Sequence, residues 1–402
     1  MRGSWLDLSA LEYSRVDTDL LRAIRGLSSF SVSQSACLSD RDYNAGTSIV
    51  VTTMKTLSVV LMLSLVTPAV ADEEAGASAA EVAIALAAEN TPVLIVDTAF
   101  VAEAIQRGAI LWDARAPDEF RKGHIAGAVN IGDPLRVLRS ENSEDFIAQE
   151  LIEDLLGGVG IDPSKEIIVY AGKSVPSAYF GLYTLQYFGA DNVHVYHGGI
   201  DDWKVAGRPI SAQIIEKEPV KLSLAPRAEI IVESNEVLNK LDRSEVQILD
   251  VRTQREFDGE DVRALRGGHI PGAINIPYER NFTGLPPRKP GAPPANSKDA
   301  LALKPEADLR ALYALLDPDK ETIVYCQSGS RASVTTAVLK DLGFKNIRLY
   351  DASWLEYGNT LDAPADDVKF FNVGLFSNRL STLLKRVEEL EKEIAAMREN
   401  KK

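Results

Sequence analysis

Cysteine and histidine are scarce in this chain: its 402 residues include two of the first, Cys37 and Cys326, and four of the second. So few thiols exclude a framework of several disulfides, and His124, His194, His197 and His269 do not cluster at metal-ligand spacing, so no metal is expected. An excess of positive charge is also missing. With 58 acidic against 44 basic residues the formal net charge is -14, the wrong sign for displacing counterions from a nucleic-acid backbone, so no nucleic-acid partner is expected. An acidic surface serves solubility, and an anionic substrate would need a locally positive pocket. A long apolar run is absent too: the stretch Leu57 to Val66 is about ten residues, against roughly 20 for a membrane-spanning helix.

What is present is an ordinary globular mixture, 45% hydrophobic and 25% charged, in a chain too long for one typical domain. From Met54 the sequence runs Lys55, the apolar stretch, then Ala69-Val70-Ala71 before acidic residues, the pattern of a signal peptide over 54–71 with cleavage after Ala71. Export to the periplasm is the expectation. An export signal is read at a chain's start, so Met54 is expected to be the initiator, with residues 1–53, rich in Ser and without Lys, an extension whose presence in the native protein stays open. The alternative is a cytoplasmic extension ahead of a signal anchor. Cleavage would leave Cys326 as the one thiol, and a lone cysteine is often a small buried hydrophobe, so its surroundings must argue for more.

The remaining chain repeats itself. ILWDARAPDEFRKGHIAGAVNI from Ile110 matches ILDVRTQREFDGEDVRALRGGHIPGAINI from Ile248, pairing Asp113 with Asp250, Arg115 with Arg252, Glu119-Phe120 with Glu256-Phe257 and His124 with His269, with a short charged insertion in the second copy. Further on, the segment from Glu166 aligns with that from Glu321. Each half reads as strand, loop, amphipathic helix, glycine stop at Gly189 or Gly343, and strand, which predicts an α/β unit on a mainly parallel central sheet flanked by helices. The domains are placed at 91–212 and 228–365, with a connector containing Pro219 and Pro226. A Pro-rich run within 283–295 can only be a loop, bordering the site or a surface insertion. In the tail, 376–402, Leu380, Leu383, Val387, Leu390, Ile394 and Met397 alternate three and four apart, predicting a coiled-coil helix and a homo-oligomer, with packing on its own domain the alternative.

Chemistry concentrates in Cys326-Gln327-Ser328-Gly329-Ser330-Arg331, between a strand ending at Tyr325 and a helix starting near Arg331. A strand-to-helix loop turns backbone N–H groups toward one point at a helix N-terminus, making an anion cradle that favours the thiolate of Cys326. Gly329 relieves crowding, Ser328 and Ser330 offer donors, and Arg331 can face an oxyanion. The equivalent loop of the first half, Ala171 to Pro176, has neither thiol nor Arg. His124 and His269 read as structural.

The D-x-R and E-F motif, the G-H-I-x-G-A segment and a Cys-x4-Arg loop after V-Y together resemble the rhodanese, or thiosulfate sulfurtransferase, family in its tandem form, over nearly all of 91–365. The resemblance implies two rhodanese-like domains with an inactive first half that supports the second. It also implies that Cys326 takes a sulfane sulfur from a small anionic donor such as thiosulfate, releases sulfite, and passes the sulfur to cyanide, a thiol or a protein. Such covalent catalysis needs a thiolate and a cradle for negative charge but no cofactor. The candidate set is Cys326 and Arg331 for catalysis, with Gln327, Ser328, Gly329, Ser330 and Arg252 around the substrate. One departure bears on the donor: vertebrate-type members tend to carry Arg at the position of Glu256, whereas here the local cations are Arg252 and Arg255, and a structural contact is the favoured reading of Arg252. Three alternatives remain open: a Cys-dependent phosphatase or arsenate reductase, whose loops place five rather than four residues between Cys and Arg; a non-catalytic exported binding module; and an oxidant-sensing thiol.

Overall fold

The structure is a computed structural model that describes residues 93–140, 145–283 and 301–399. These belong to one compact unit, Ala77–Lys402. The expected extension 1–53, signal peptide 54–71 and Cys37, and all of the Pro-rich run beyond Thr283, lie outside the described residues.

Each half builds a four-stranded parallel sheet. The first contains β1 (Ile95–Val96), β2 (Ile110–Asp113), β4 (Ile167–Tyr170) and β5 (Val193–Tyr196), in the order β1-β5-β4-β2. The second contains β7 (Val246–Asp250), β9 (Ile274–Asn275), β10 (Glu321–Tyr325) and β11 (Asn346–Leu349), in the order β11-β10-β7-β9. All neighbours in both sheets run parallel. The central strands β4 and β10 carry Ile-Ile-Val-Tyr and Thr-Ile-Val-Tyr buried throughout, because helices cover both faces of a parallel sheet and leave no solvent side on which polar residues could alternate. Two-stranded antiparallel ladders flank the sheets: β3 (His124–Ile125) with β6 (Ile210–Ser211), and β8 (Arg266–His269) with β12 (Asp366–Phe370). The second domain thus continues past the expected boundary at 365, through a strand whose residues are all exposed and whose apolar alternation is confined to Val368 and Phe370.

The helices that follow β4 and β10, Pro176–Tyr187 and Ser330–Asp341, differ from expectation. Both were expected to be amphipathic, yet Ser177 to Leu185 and Ala332 to Leu339 are buried without a break. A helix buried on every side has no solvent face to keep polar. The reason is tertiary: the two halves pack against each other here, so that Val334 and Ala337 join the core of the first half while Phe180 and Tyr183 join that of the second. At the helix end, Lys340 Nζ donates to Gln186 Oε1 (2.9 Å), and the carboxylate of Asp341 accepts from the N–H groups of Leu94 and Ile95 (2.7 and 2.9 Å). Burial pushes Asp341 up to about 6 and Lys340 down to about 8.

The tail forms one continuous helix, Val373–Glu399, starting three residues earlier than expected. Its apolar seam is exposed rather than packed on its own domain. Among the described residues no helix is long and apolar enough to cross a membrane, and no group of His, Cys, Asp and Glu could hold a metal ion.

Candidate active site

The repeated motif forms the same network in both halves. In the second, Arg252 Nε donates to Asp250 Oδ1 (3.0 Å), and its Nη2 donates to Asp250 Oδ2 (2.6 Å) and to the carbonyl of Gly268 (2.7 Å). In the first, Arg115 does the same with Asp113 and Gly123. Asn275 and Asn130 tie the carbonyls on either side of that turn together. His269 and His124 stack on Phe257 and Phe120 and bond their carbonyls through Nδ1 (3.0 and 2.9 Å). A network present in a half without a thiol is architecture, so D-x-R, the Phe of E-F and the His of G-H-I build the domain rather than the reaction centre. Arg252, included among the substrate-binding candidates, is corrected accordingly: it is 1% exposed, ion-paired to Asp250 and covered by the Trp354 ring, which leaves it unable to hold a donor.

Cys326 follows β10 directly and is buried. Two N–H groups of its loop, those of Cys326 and Gly329, donate to Ser353 Oγ (both 3.1 Å), and that hydroxyl donates to the Tyr350 carbonyl (2.7 Å). From the other direction the N–H groups of Trp354 and Leu355 donate to the carbonyls of Cys326 and Gln327 (3.1 and 2.8 Å). The turn 350–355 therefore grips the loop along one side. The N–H groups of Gln327 and Ser328, and those of the first helical turn, Ser330 to Ala332, have no acceptor among the described residues, as expected where a helix starts in a cradle. Gly329 caps the helix at φ +77°, and a Cβ there would meet Asp351 Oδ1 at 2.5 Å, so both conformation and space demand glycine.

Arg331 is not a free cation. Its guanidinium makes two parallel bonds to Glu256 (2.7 and 2.8 Å), and Arg263, from the insertion that distinguishes the second copy, adds a third (3.0 Å). Glu256 also closes a capping box with Thr253. Burial alone would raise its pKa, but the Arg331 bonds and charge outweigh it and hold the carboxyl at about 2. Burial likewise opposes the charge on Arg331, and Glu256 together with Cys326 overcomes it, so its pKa is raised. The expected oxyanion donor is thus half neutralised by a carboxylate that is ionised at any physiological pH. Gln327 turns its amide to the Arg263 carbonyl (3.0 Å), bracing the insertion, while Arg255 is exposed and lies 3.6 Å from Glu260. Ser328 and Ser330 are half-buried at the mouth of the loop.

The first half reaches the site as well. Arg139 crosses to Asp351, donating from Nη1 to Oδ2 (2.7 Å) and from Nη2 to Oδ1, with its guanidinium against the rings of Phe146 and Phe180. Both partners are buried, and burial raises the pKa of Asp351 against the opposing effect of Arg139. This pair lies behind Gly329, next to the turn that grips the loop.

In the first half the same position is dismantled. Ala171 replaces the thiol, Lys173 N–H donates to Asp201 Oδ2 (2.8 Å), and Ser174 sits at φ +58° with its N–H given to the His197 carbonyl. An internal carboxylate occupies the place of an anion. A cavity of about 860 Å³ lies over this loop, lined by Ala171, Gly172, Lys122, Arg136 and Lys204 among others, with no cysteine among the lining residues. The counterpart of Ser353 is Gly199, since the N–H groups that follow them, of Trp354 and Ile200, bond the carbonyls of Cys326 and Ala171 alike.

Ser353, Asp351, Arg139 and Arg263 escaped sequence reasoning. For Ser353 a signal existed: extending the repeat past Tyr196 and Tyr350 aligns it with glycine. For Arg139 there was none.

Comparison with known proteins agrees with this architecture. A family model described as the rhodanese-like domain matches residues 97–206 and again 233–360. A thiosulfate sulfurtransferase of Corynebacterium glutamicum is 36% identical over 260 residues, covering 61% of this chain and 80% of its own length. A putative thiosulfate sulfurtransferase of Haloferax volcanii is 31% identical, with 63% and 86% covered. Among solved structures, a 3-mercaptopyruvate sulfotransferase of Escherichia coli is 26% identical at a TM-score of 0.55, covering 65% of this chain and 99% of that one. An anaerobic ergothioneine biosynthesis enzyme of Chlorobium limicola, at 21% identity and a TM-score of 0.59 over 69% and 70%, shares the fold. With two matched segments on two copies of one parallel sheet, the chain belongs to the rhodanese family.

Proposed function

We propose that this chain is a sulfurtransferase in which Cys326 carries a sulfane sulfur from a small donor to a thiophilic acceptor. The observation that carries the reading is the loop itself: a cysteine heading a strand-to-helix turn whose remaining N–H groups lack acceptors among the described residues, braced from behind by Ser353. With thiosulfate, the thiolate attacks the outer sulfur, the S–S bond breaks, and sulfite leaves with the electron pair. The product is a cysteine persulfide anion, whose charge the free N–H groups can meet. Cyanide then attacks the outer sulfur of the persulfide, thiocyanate leaves, and the thiolate returns; a thiol acceptor would leave as a persulfide. The names of the relatives support thiosulfate as donor. Glu256 beside Arg331 argues that a dianion is held weakly, since like charges repel across a partly buried site.

Mass spectrometry after incubation with thiosulfate tests this. The expected result is one added sulfur atom on Cys326, discharged by cyanide as thiocyanate and absent in Cys326→Ala. No adduct from thiosulfate, mercaptopyruvate or polysulfide would overturn it. Export belongs to the same proposal, and an N-terminus at or near Asp72 in the native protein is its expected sign.

A further inference from the structure

The helix Val373–Glu399 is about 40 Å long and carries a stripe that the other described residues leave uncovered. The seam runs Val373, Phe376, Leu380, Leu383, Val387, Leu390, Ile394 and Met397, one heptad longer than the tail alone suggests, and each of these side chains is 40–67% exposed. A contiguous apolar stripe on an isolated helix marks a contact surface.

We propose that it pairs with the same helix of a second copy of this chain as a parallel two-stranded coiled coil. Val373, Val387 and Ile394, β-branched, share one seam position with Leu380, while Leu383 and Leu390 occupy the other, the distribution that favours two parallel strands. The flanking charges fix the direction. In a parallel pair, the residue before a seam position faces the residue five further on in the other copy, so Arg386 meets Glu391 of the second copy. In the fully overlapped antiparallel alternative, Arg386 faces Arg386. Within one copy Arg386 bonds only exposed Glu389 (3.0 Å) and approaches Glu393 (3.6 Å), weak surface pairs that can be exchanged. Between Lys385 and Glu393 the polar residues are four Glu against two Lys and one Arg, the wrong balance for a helix lying on an anionic membrane. The rod is tied to the catalytic domain: β12 pairs with β8, Phe371 N–H donates to the Leu265 carbonyl (3.0 Å), and the Phe371 ring packs on Phe376 (5.4 Å). A parallel pair therefore sets both catalytic domains at the same end.

Analytical ultracentrifugation of the full chain at tens of micromolar tests the proposal. The expected mass is that of a dimer, reduced to a monomer by the double variant Leu383→Asp, Val387→Asp with the urea midpoint of the domains unchanged. Arg386→Glu and Glu391→Arg should each weaken dimerisation severalfold, and their combination should restore it. A monomeric wild type, a dimer indifferent to the seam variant, or binding of the helix to anionic vesicles in place of self-association would overturn the proposal; failure of the combined charge variant to recover would overturn the parallel direction.

Discussion

Replacing Ser353 separates what holds the loop from what reacts in it. Its hydroxyl accepts from the N–H groups of Cys326 and Gly329 and donates to the Tyr350 carbonyl, all within a buried turn. Ser353→Ala orphans three buried polar groups, each worth about 1–3 kcal/mol, so a loss of about 3 kcal/mol is expected if each costs near the low end. Ser353 also sits at φ +56°. Ser353→Gly loses the same bonds but relieves a left-handed conformation worth about 1 kcal/mol, and should be the more stable variant by that amount. Glycine already occupies the equivalent position at Gly199, where φ is +53°. Urea unfolding reads the stability difference. Thiocyanate formation and the alkylation rate of Cys326 by a small neutral reagent read the loop. Because the two N–H groups point to Ser353 rather than to substrate, transfer should fall by about tenfold, less than the 10²–10³ of a lost direct donor, and equally in both variants. Wild-type rates in both variants, with stability lost, would refute the idea that this hydroxyl orders the loop; unchanged stability would refute the energetic estimate.

Arg139→Met should cost about 3–5 kcal/mol, because Asp351 is left buried without its partner, and adding Asp351→Leu should recover much of the loss; a double-mutant cycle by urea unfolding measures it, and additive losses would deny the coupling. The depressed pKa of Glu256 implies stability that is fully present above its ordinary value of 4.5 and is lost as pH falls toward about 2, amounting to about 3 kcal/mol. Glu256→Gln should therefore be less stable than wild type at pH 7 by about that amount, with the difference closing below pH 4, as acid-unfolding curves of the two would show. The same variant releases Arg331, so its KM for thiosulfate should fall if any transfer remains; a rise would mean that Glu256 positions Arg331 more than it neutralises it.

The sequence by itself determined the architecture and singled out the loop that begins at Cys326. Each half carries its own strand patterns, glycine stops and D-x-R, E-F and G-H-I motifs. The networks these motifs form are local in sequence, Arg252 reaching Asp250 two residues away and Gly268 sixteen away, so a repeat legible in one dimension became a repeated structure. Cys326 stood out because its loop differs from that of its twin, and difference against a repeated background points to chemistry. Tertiary structure alone decided how the site is charged and braced. That Arg331 is bound to Glu256 75 residues away follows from how the second half folds on itself, whereas the pairing of Arg139 of the first half with Asp351 212 residues on, and the burial of the central helices on every face, follow from the packing of one half on the other. No local pattern encodes a pairing between residues so far apart; the fold makes it by excluding water from both partners, so that each buried charge must be met by another.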